Sequence, residues 1–306
     1  MFSIHPAGAS CAASRFAGCV LSCLAASVLQ AQTGLKIELV PETTAIVPGE
    51  AFRAGILIQP EPGWHTYWRQ PGIVGVPTRM AWELPEGFSA GELEYPGPEA
   101  VLMFHIKAQG FKRDVLLQTR ITAPGHLKPG ETVTLRGRAS WMCCGNICHP
   151  GTQILELKMP VASGAEPHER WAPVFERERE TFERESSLWE VEAEENGMTA
   201  TMKLRPAGAG ARLFDGEAGT EGLRFFTEDG WINSDEEQTF TLTNDGALKV
   251  GLTRAEVFLG GGGPPERLHG VLRREGGWEM GQSWSCLRIA PKITRRDALK
   301  DLQTRR

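Results

Sequence analysis

The sequence predicts an all-β fold: an antiparallel β-sandwich over residues 35–160, a short charged helical linker over 161–188, and a second β domain over 189–293. Three observations predict it. Apolar residues recur with period two over several short runs, turn dipeptides punctuate those runs, and one stretch alone shows helical spacing. Gly (35) and Pro (20) are both abundant, which favours many turns and short strands.

With 41% apolar and 23% charged residues in a chain of 306, the composition is that of a folded protein long enough for two cores. The net charge of −5 offers no global basic field for nucleic acid. Residues 1–31 read as a secretory signal peptide: Arg15 precedes an apolar run from Phe16 to Leu29, and no acidic residue appears before Glu38. Cleavage is expected after Ser27 or Ala31. A membrane anchor is the competing reading, but the run falls short of the ~20 apolar residues that a span requires. Lipoprotein processing at Cys19 or Cys23 would leave a very short apolar core. The mature chain is thus expected in the periplasm or secreted.

In order along the chain, Leu35, Ile37 and Leu39 alternate with Lys36 and Glu38. Phe52, Ala54, Ile56 and Ile58 repeat the pattern, as do Val115, Leu117, Thr119 and Ile121. Val133, Leu135, Gly137, Ala139 and Trp141 form a further run that leads directly into cysteines. Pro48-Gly49, Pro62-Gly63, Pro71-Gly72, Pro85-Glu86-Gly87 and Pro129-Gly130 mark turns. After Met159-Pro160 the alternation stops. Glu and Arg dominate from Pro173 to Ser187, with Val174, Phe175, Phe182 and Leu188 near helical spacing, so one charged helix with a solvated face is expected. Beyond it, Thr199 to Leu204, Leu223 to Phe226, Thr239 to Leu242, Leu248 to Leu252 and Val257 to Leu259 read as strands. Gly260 to Gly263 lacks the Lys-Ser/Thr and helix of a phosphate cradle and reads as a loose loop. Residues 294–306 read as a basic tail.

Chemistry concentrates in Trp141-Met142-Cys143-Cys144-Gly145-Asn146-Ile147-Cys148-His149-Pro150. Cys11, Cys19 and Cys23 leave with the signal peptide, so the mature chain keeps Cys143, Cys144, Cys148 and Cys286. In an oxidising compartment such thiols pair or handle the disulfides of other proteins. The C-x3-C pair Cys144/Cys148 at a strand end, with Gly-Asn between, can bend back to disulfide distance. So small a ring constrains few unfolded conformations and stabilises little, which suits a bridge that opens and closes. His149, when protonated, would favour the Cys148 thiolate. Other readings stay open: a non-enzymatic β-sandwich partner-binding scaffold with a static disulfide, or a copper-handling protein with a Cu(I) site built from Cys143, Cys144, Cys148 and His149. Cys286 either pairs with Cys143 or is a buried thiol. In a strand, Trp64, Thr66 and Trp68 share one face and His65 and Tyr67 the other, which suits packing better than catalysis by His65. His105 and His149 likewise read as surface or packing residues.

Gly63-Trp64-His65-Thr66-Tyr67-Trp68, then Pro71-Gly72, Gly75, Pro77, Trp82, Pro85-Glu86-Gly87-Phe88 and Tyr95-Pro96, resembles the periplasmic N-terminal domain of DsbD-type thiol:disulfide interchange proteins, in the variety found in ScsB-like proteins. Gly110-Phe111, Leu116-Leu117 and Trp141 through Pro150 are similar to its later blocks, and so are Phe225 through Gly230 and His269 through Leu272. The resemblance spans roughly residues 35–290. It implies an immunoglobulin-like sandwich whose redox-active cysteine pair takes electrons from a membrane or thioredoxin-like module and passes them to periplasmic disulfide proteins. By that resemblance Cys148 forms the mixed disulfide and Cys144 is the resolving thiol, while Cys143 stands at a usually apolar place. No cofactor and no metal is implied. The sequence contains neither a multi-span membrane domain nor a thioredoxin-like C-x-x-C, so the partners implied are thioredoxin-like or disulfide-containing proteins and a separate membrane electron donor.

Overall fold

The computed structural model describes residues 34–214, 217–257 and 263–295. The expected signal peptide, most of the strand read at Val257 to Leu259, most of the Gly260 to Gly263 loop and the tail from residue 296 onward lie outside the described residues.

The first β region comprises β1 (Leu35–Pro41), β2 (Ala51–Pro60), β3 (Thr66–Tyr67), β4 (Arg79–Trp82), β5 (Ser89–Ala90), β6 (Glu99–Met103), β7 (Ile106–Phe111), β8 (Val115–Thr122), β9 (Thr132–Cys144) and β10 (Cys148–Pro160). A four-stranded sheet, ordered β1-β2-β8-β5, packs on a three-stranded sheet, β10-β9-β4, and every pairing is antiparallel. The core between them is the set the alternation predicts. Leu35, Ile37 and Leu39 from β1, Ala54, Ile56 and Ile58 from β2, and Leu135, Ala139 and Trp141 from β9 are buried together. Lys36 and Glu38 are exposed. Each large apolar side chain so buried contributes about 1.5–3 kcal/mol, and a one-residue slip would turn the whole set to solvent. A third, smaller sheet, β3-β7-β6, lies beside this sandwich and covers the cysteine end of β9.

The charged stretch forms one helix, α1 (Ala172–Arg179), shorter than the spacing suggests. Pro173 sits in its first turn, where a missing N–H costs nothing. Its face is also not wholly solvated. Phe175 is fully buried against Val40, Leu57 and Leu116 on the outer face of the four-stranded sheet. Glu178, 3% exposed, accepts both of its hydrogen bonds from Arg113, at 2.8 and 2.9 Å.

The second β region comprises β11 (Trp189–Asn196), β12 (Thr199–Pro206), β13 (Arg224–Thr227), β14 (Thr239–Leu242), β15 (Leu248–Thr253), β16 (Gly270–Arg273), β17 (Cys286–Ile289) and β18 (Ile293–Arg295). Its sheets are β14-β15-β12-β11-β18, in which β18 runs parallel to β11, and β13-β16-β17. Four tryptophans, Trp189, Trp231, Trp278 and Trp284, anchor its core. Trp189 meets Trp278 edge-on at 5.5 Å and donates to its carbonyl.

The sheet β13-β16-β17 is buried on both faces. Phe225, Leu272 and Leu287 enter the core of the second region, while their neighbours Phe226, Val271 and Cys286 enter that of the first sandwich. Period-two alternation therefore makes this sheet a layer shared by the two β regions, whose ends in sequence fall at Pro160 and Trp189.

Candidate redox site

Strands β9 and β10 form a long hairpin in continuous register, from Thr132 opposite Pro160 to Cys144 opposite Cys148. Gly151, opposite Trp141, leaves room for the indole to lie across the hairpin, since a Cβ there would sit 2.4 Å from the ring. The tip is Gly145-Asn146-Ile147, closed by a 3.0 Å hydrogen bond from the Gly145 N–H to the Ile147 carbonyl. Cys144 and Cys148 thus face each other across the strand ends with Cα atoms 4.1 Å apart, and they are joined by a disulfide.

The two sulfurs have different surroundings. Cys144 is fully buried in a small cluster with Tyr67, Val101 and Ala108, from β3, β6 and β7. Cys148 is half-buried and follows Ile147, which is 57% exposed. Strand alternation sends Cys143 the other way, into the sandwich core, with its sulfur 3.5 Å from the Gly34 carbonyl. Burial, with Glu61 as a smaller contributor, pushes the Cys143 thiol up to about 12. Cys286 is also a free, buried thiol, pushed up to about 11 mainly by burial. The Cys143–Cys286 pairing left open by the sequence is not formed.

Residues 65–67 are what the sequence reading undervalued. The backbone of His65 exchanges two hydrogen bonds with Cys144, at 2.9 and 3.0 Å. Thr66 and Tyr67 then pair with β7, where Gly110 permits the close approach: a Cβ there would lie 2.0 Å from the Thr66 carbonyl oxygen. This places the Tyr67 hydroxyl 3.1 Å from the Cys144 sulfur, to which it donates, and 3.2 Å from Nε2 of His65. Burial, aided by Cys143, pushes Tyr67 up to about 12, so its proton stays on at neutral pH. Burial, aided by the charge of Lys112, pulls His65 down to about 4, so its ring is neutral. A hydroxyl carries one proton. With that proton on the sulfur, His65 completes the chain by donating from Nε2 to the tyrosine oxygen. The signal in sequence was the shared face of His65 and Tyr67; what that face meets is a long-range contact that alternation cannot reveal.

His149 is placed differently from the sequence argument. It pairs in register with Cys143, so its side chain lies on the face opposite the Cys148 sulfur. Its ring leans on Trp64 at 5.5 Å, and its buried Nε2 finds no protein partner. Trp68 enters the sandwich core and Trp64 packs against it, as the alternation predicts, and His105 is exposed. Among the described residues no group of three His, Cys, Asp or Glu side chains could hold a metal.

The fold and site define a class: a two-sheet β domain whose single disulfide closes a hairpin tip, with one sulfur sealed and one at the rim. Residues 36–160 match the family described as thiol:disulfide interchange protein DsbD, N-terminal. Among solved structures, the N-terminal periplasmic domain of ScsB from Proteus mirabilis shares the fold. It is 15% identical, and the match covers 85% of this chain and 94% of that one at a TM-score of 0.57. A protein of unknown function from Porphyromonas gingivalis W83 is 11% identical over 86% of this chain and 100% of its own, at a TM-score of 0.22. The major pilin subunit BcpA of Bacillus cereus is 8% identical over 85% and 68%, at 0.25. No curated protein matches the chain in sequence.

Proposed function

We propose that this protein is a periplasmic thiol:disulfide interchange module in which Cys148 exchanges with partner proteins and Cys144 resolves the mixed disulfide. The observation that carries the reading is the asymmetry of the bridge. Only Cys148 has an open side, while Cys144 is sealed beneath Tyr67.

A partner thiolate attacks the Cys148 sulfur, the Cys144–Cys148 bond breaks, and its electron pair leaves on Cys144 as a thiolate facing the Tyr67 hydroxyl. The partner's second thiolate then attacks the partner sulfur of the mixed disulfide and releases Cys148, so the module is reduced and the partner oxidised. In the onward step the Cys148 thiolate attacks a target disulfide. Cys144 then attacks Cys148, re-forms the bridge and expels the reduced target.

The partners are thioredoxin-like or disulfide-containing proteins, with a separate membrane protein as electron donor. Exposed apolar residues flank the site along the chain: Ile147 precedes Cys148, Leu102 follows Val101, and Ile73 and Val76 bracket Val74 of the same cluster. A rim of that kind suits a protein partner. A periplasmic location is supported by the family match over residues 36–160 and by the expected signal peptide; among the described residues no helix is long and apolar enough to cross a membrane. The direct test is incubation with a reduced thioredoxin-like dithiol. Stoichiometric loss of the Cys144–Cys148 bridge with oxidation of the dithiol supports the reading, and a bridge that survives while the fold is intact would make it a static staple.

A further inference from the structure

The role of the second β region follows from strand β7. Its central residues face two ways. Ala108 points into the cluster that encloses Cys144, while the Gln109 side chain, 2% exposed, points at the second region. There its amide closes a reciprocal pair of hydrogen bonds with Thr227, accepting from its N–H at 2.8 Å and donating to its carbonyl at 2.9 Å.

The free backbone edge of β7 is shared in the same way. Strand β3 is only two residues long and pairs at Gly110 and Phe111. Where β3 runs out, the Trp68 N–H and the Pro71 carbonyl take the backbone of Gln109. Lys107 lies beyond their reach, and the second region supplies its partners. The Lys107 N–H donates to Asp235 at 2.8 Å, and the Ser234 hydroxyl donates to the Lys107 carbonyl at 3.1 Å. Ser234 also accepts from the Ile73 N–H at 3.3 Å. An unpaired strand edge beside a redox site would fray, and these two side chains complete the ladder instead.

We infer that Ser234 and Asp235 are positioning residues for the disulfide: the second β region clamps β7, and through it Tyr67, Val101 and Ala108, over Cys144. This inference rests on the redox reading of the pair, but its test does not need the biological partner.

In the double variant Ser234→Ala/Asp235→Ala, loss of these bonds raises the population of the locally opened β6–β7 hairpin about tenfold. Opening uncovers the Cys144 sulfur and adds it as a second point of attack, so reduction of Cys144–Cys148 by dithiothreitol through that route should accelerate by the same factor despite the lost Tyr67 bond, with exchange of the Lys107 amide rising in parallel and the unfolding midpoint nearly constant. Asp235→Asn keeps an acceptor for Lys107 and should stay within about twofold of the parent. Faster Lys107 exchange with an unchanged reduction rate would overturn the inference, as would equal acceleration in Asp235→Asn. Should the double variant fail to fold, Ser234→Ala alone is read in the same way, with about threefold expected and no change contradicting. A parent protein that ignores thioredoxin-like dithiols while the clamp variants still alter dithiothreitol kinetics would sink the proposed function and leave the clamp standing.

Discussion

Replacing Tyr67 by Phe removes one hydroxyl from the site and leaves the buried ring in place. In the oxidised protein that hydroxyl donates to a disulfide sulfur, a weak neutral acceptor. When the bridge opens, the same sulfur leaves as a thiolate, and a hydrogen bond to a charged group is worth about 1.5–3 kcal/mol against roughly 0.5–1.5 for a neutral one. The difference, on the order of 1–1.5 kcal/mol, appears in the transition state for attack on Cys148. It predicts that Tyr67→Phe slows reduction about tenfold, since 1.4 kcal/mol is one decade in rate. It also raises the Cys144 thiol pKa of the reduced protein by about one unit, because one unit is about 1.4 kcal/mol. Stopped-flow reduction by a small dithiol gives the first quantity. The pH dependence of the ultraviolet thiolate absorbance, in a Cys143→Ser and Cys148→Ala background, gives the second. An unchanged rate together with an unchanged thiol pKa would refute the idea that Tyr67 serves the departing sulfur, and would leave it a packing residue.

Further predictions concern stability and the spare thiol. His65 is pulled down to about 4, so the unfolded chain binds the extra proton between that value and about 6.5. Stability is therefore full above about pH 6.5 and falls as pH drops toward 4, by roughly 2–4 kcal/mol. Urea unfolding of the parent should show this loss and His65→Gln should flatten it, whereas equal slopes would contradict the buried neutral imidazole. Arg113→Ala strands the buried Glu178 carboxylate and should cost about 3 kcal/mol in chemical denaturation, with Glu178→Gln in the same chain recovering part of the loss. Cys143 lies across the strand from the bridge, so mixed disulfides trapped on Cys144→Ala should persist equally with and without Cys143→Ser; faster decay when Cys143 is present would show that it resolves them.

What was legible in the sequence was local. Alternation located β1, β2, β8 and β9 and their inward faces, and the three residues between Cys144 and Cys148 suited a closed hairpin tip. The sheet β3-β7-β6 was not legible. Its strands are short, His105 and Lys107 interrupt the apolar pattern, and Gly110 is there for the approach to Thr66 rather than for strand propensity. The layer β13-β16-β17 was read only in part, because burial on both faces replaces alternation with unbroken runs such as Phe225-Phe226 and Val271-Leu272. α1 ended early because Phe182 and Leu188 belong to the chain leading into β11, not to a helical face. His149 packs against Trp64, as its packing reading expects, but it is not placed to favour the Cys148 thiolate, because neighbouring strand residues lie on opposite faces.

The central claim is that Cys148 is the sulfur a partner captures and Cys144 the one that resolves. Trapping tests it most directly, with Cys144→Ala and Cys148→Ala each made in a Cys143→Ser background, exposed to an oxidised thioredoxin-like or disulfide-containing partner and resolved on non-reducing gels. The account predicts a stable covalent adduct with Cys144→Ala and none with Cys148→Ala, because the Cys144 sulfur is sealed beneath Tyr67, Val101 and Ala108. Adducts on Cys148→Ala alone would reverse the two roles, and adducts on neither would contradict the redox function itself.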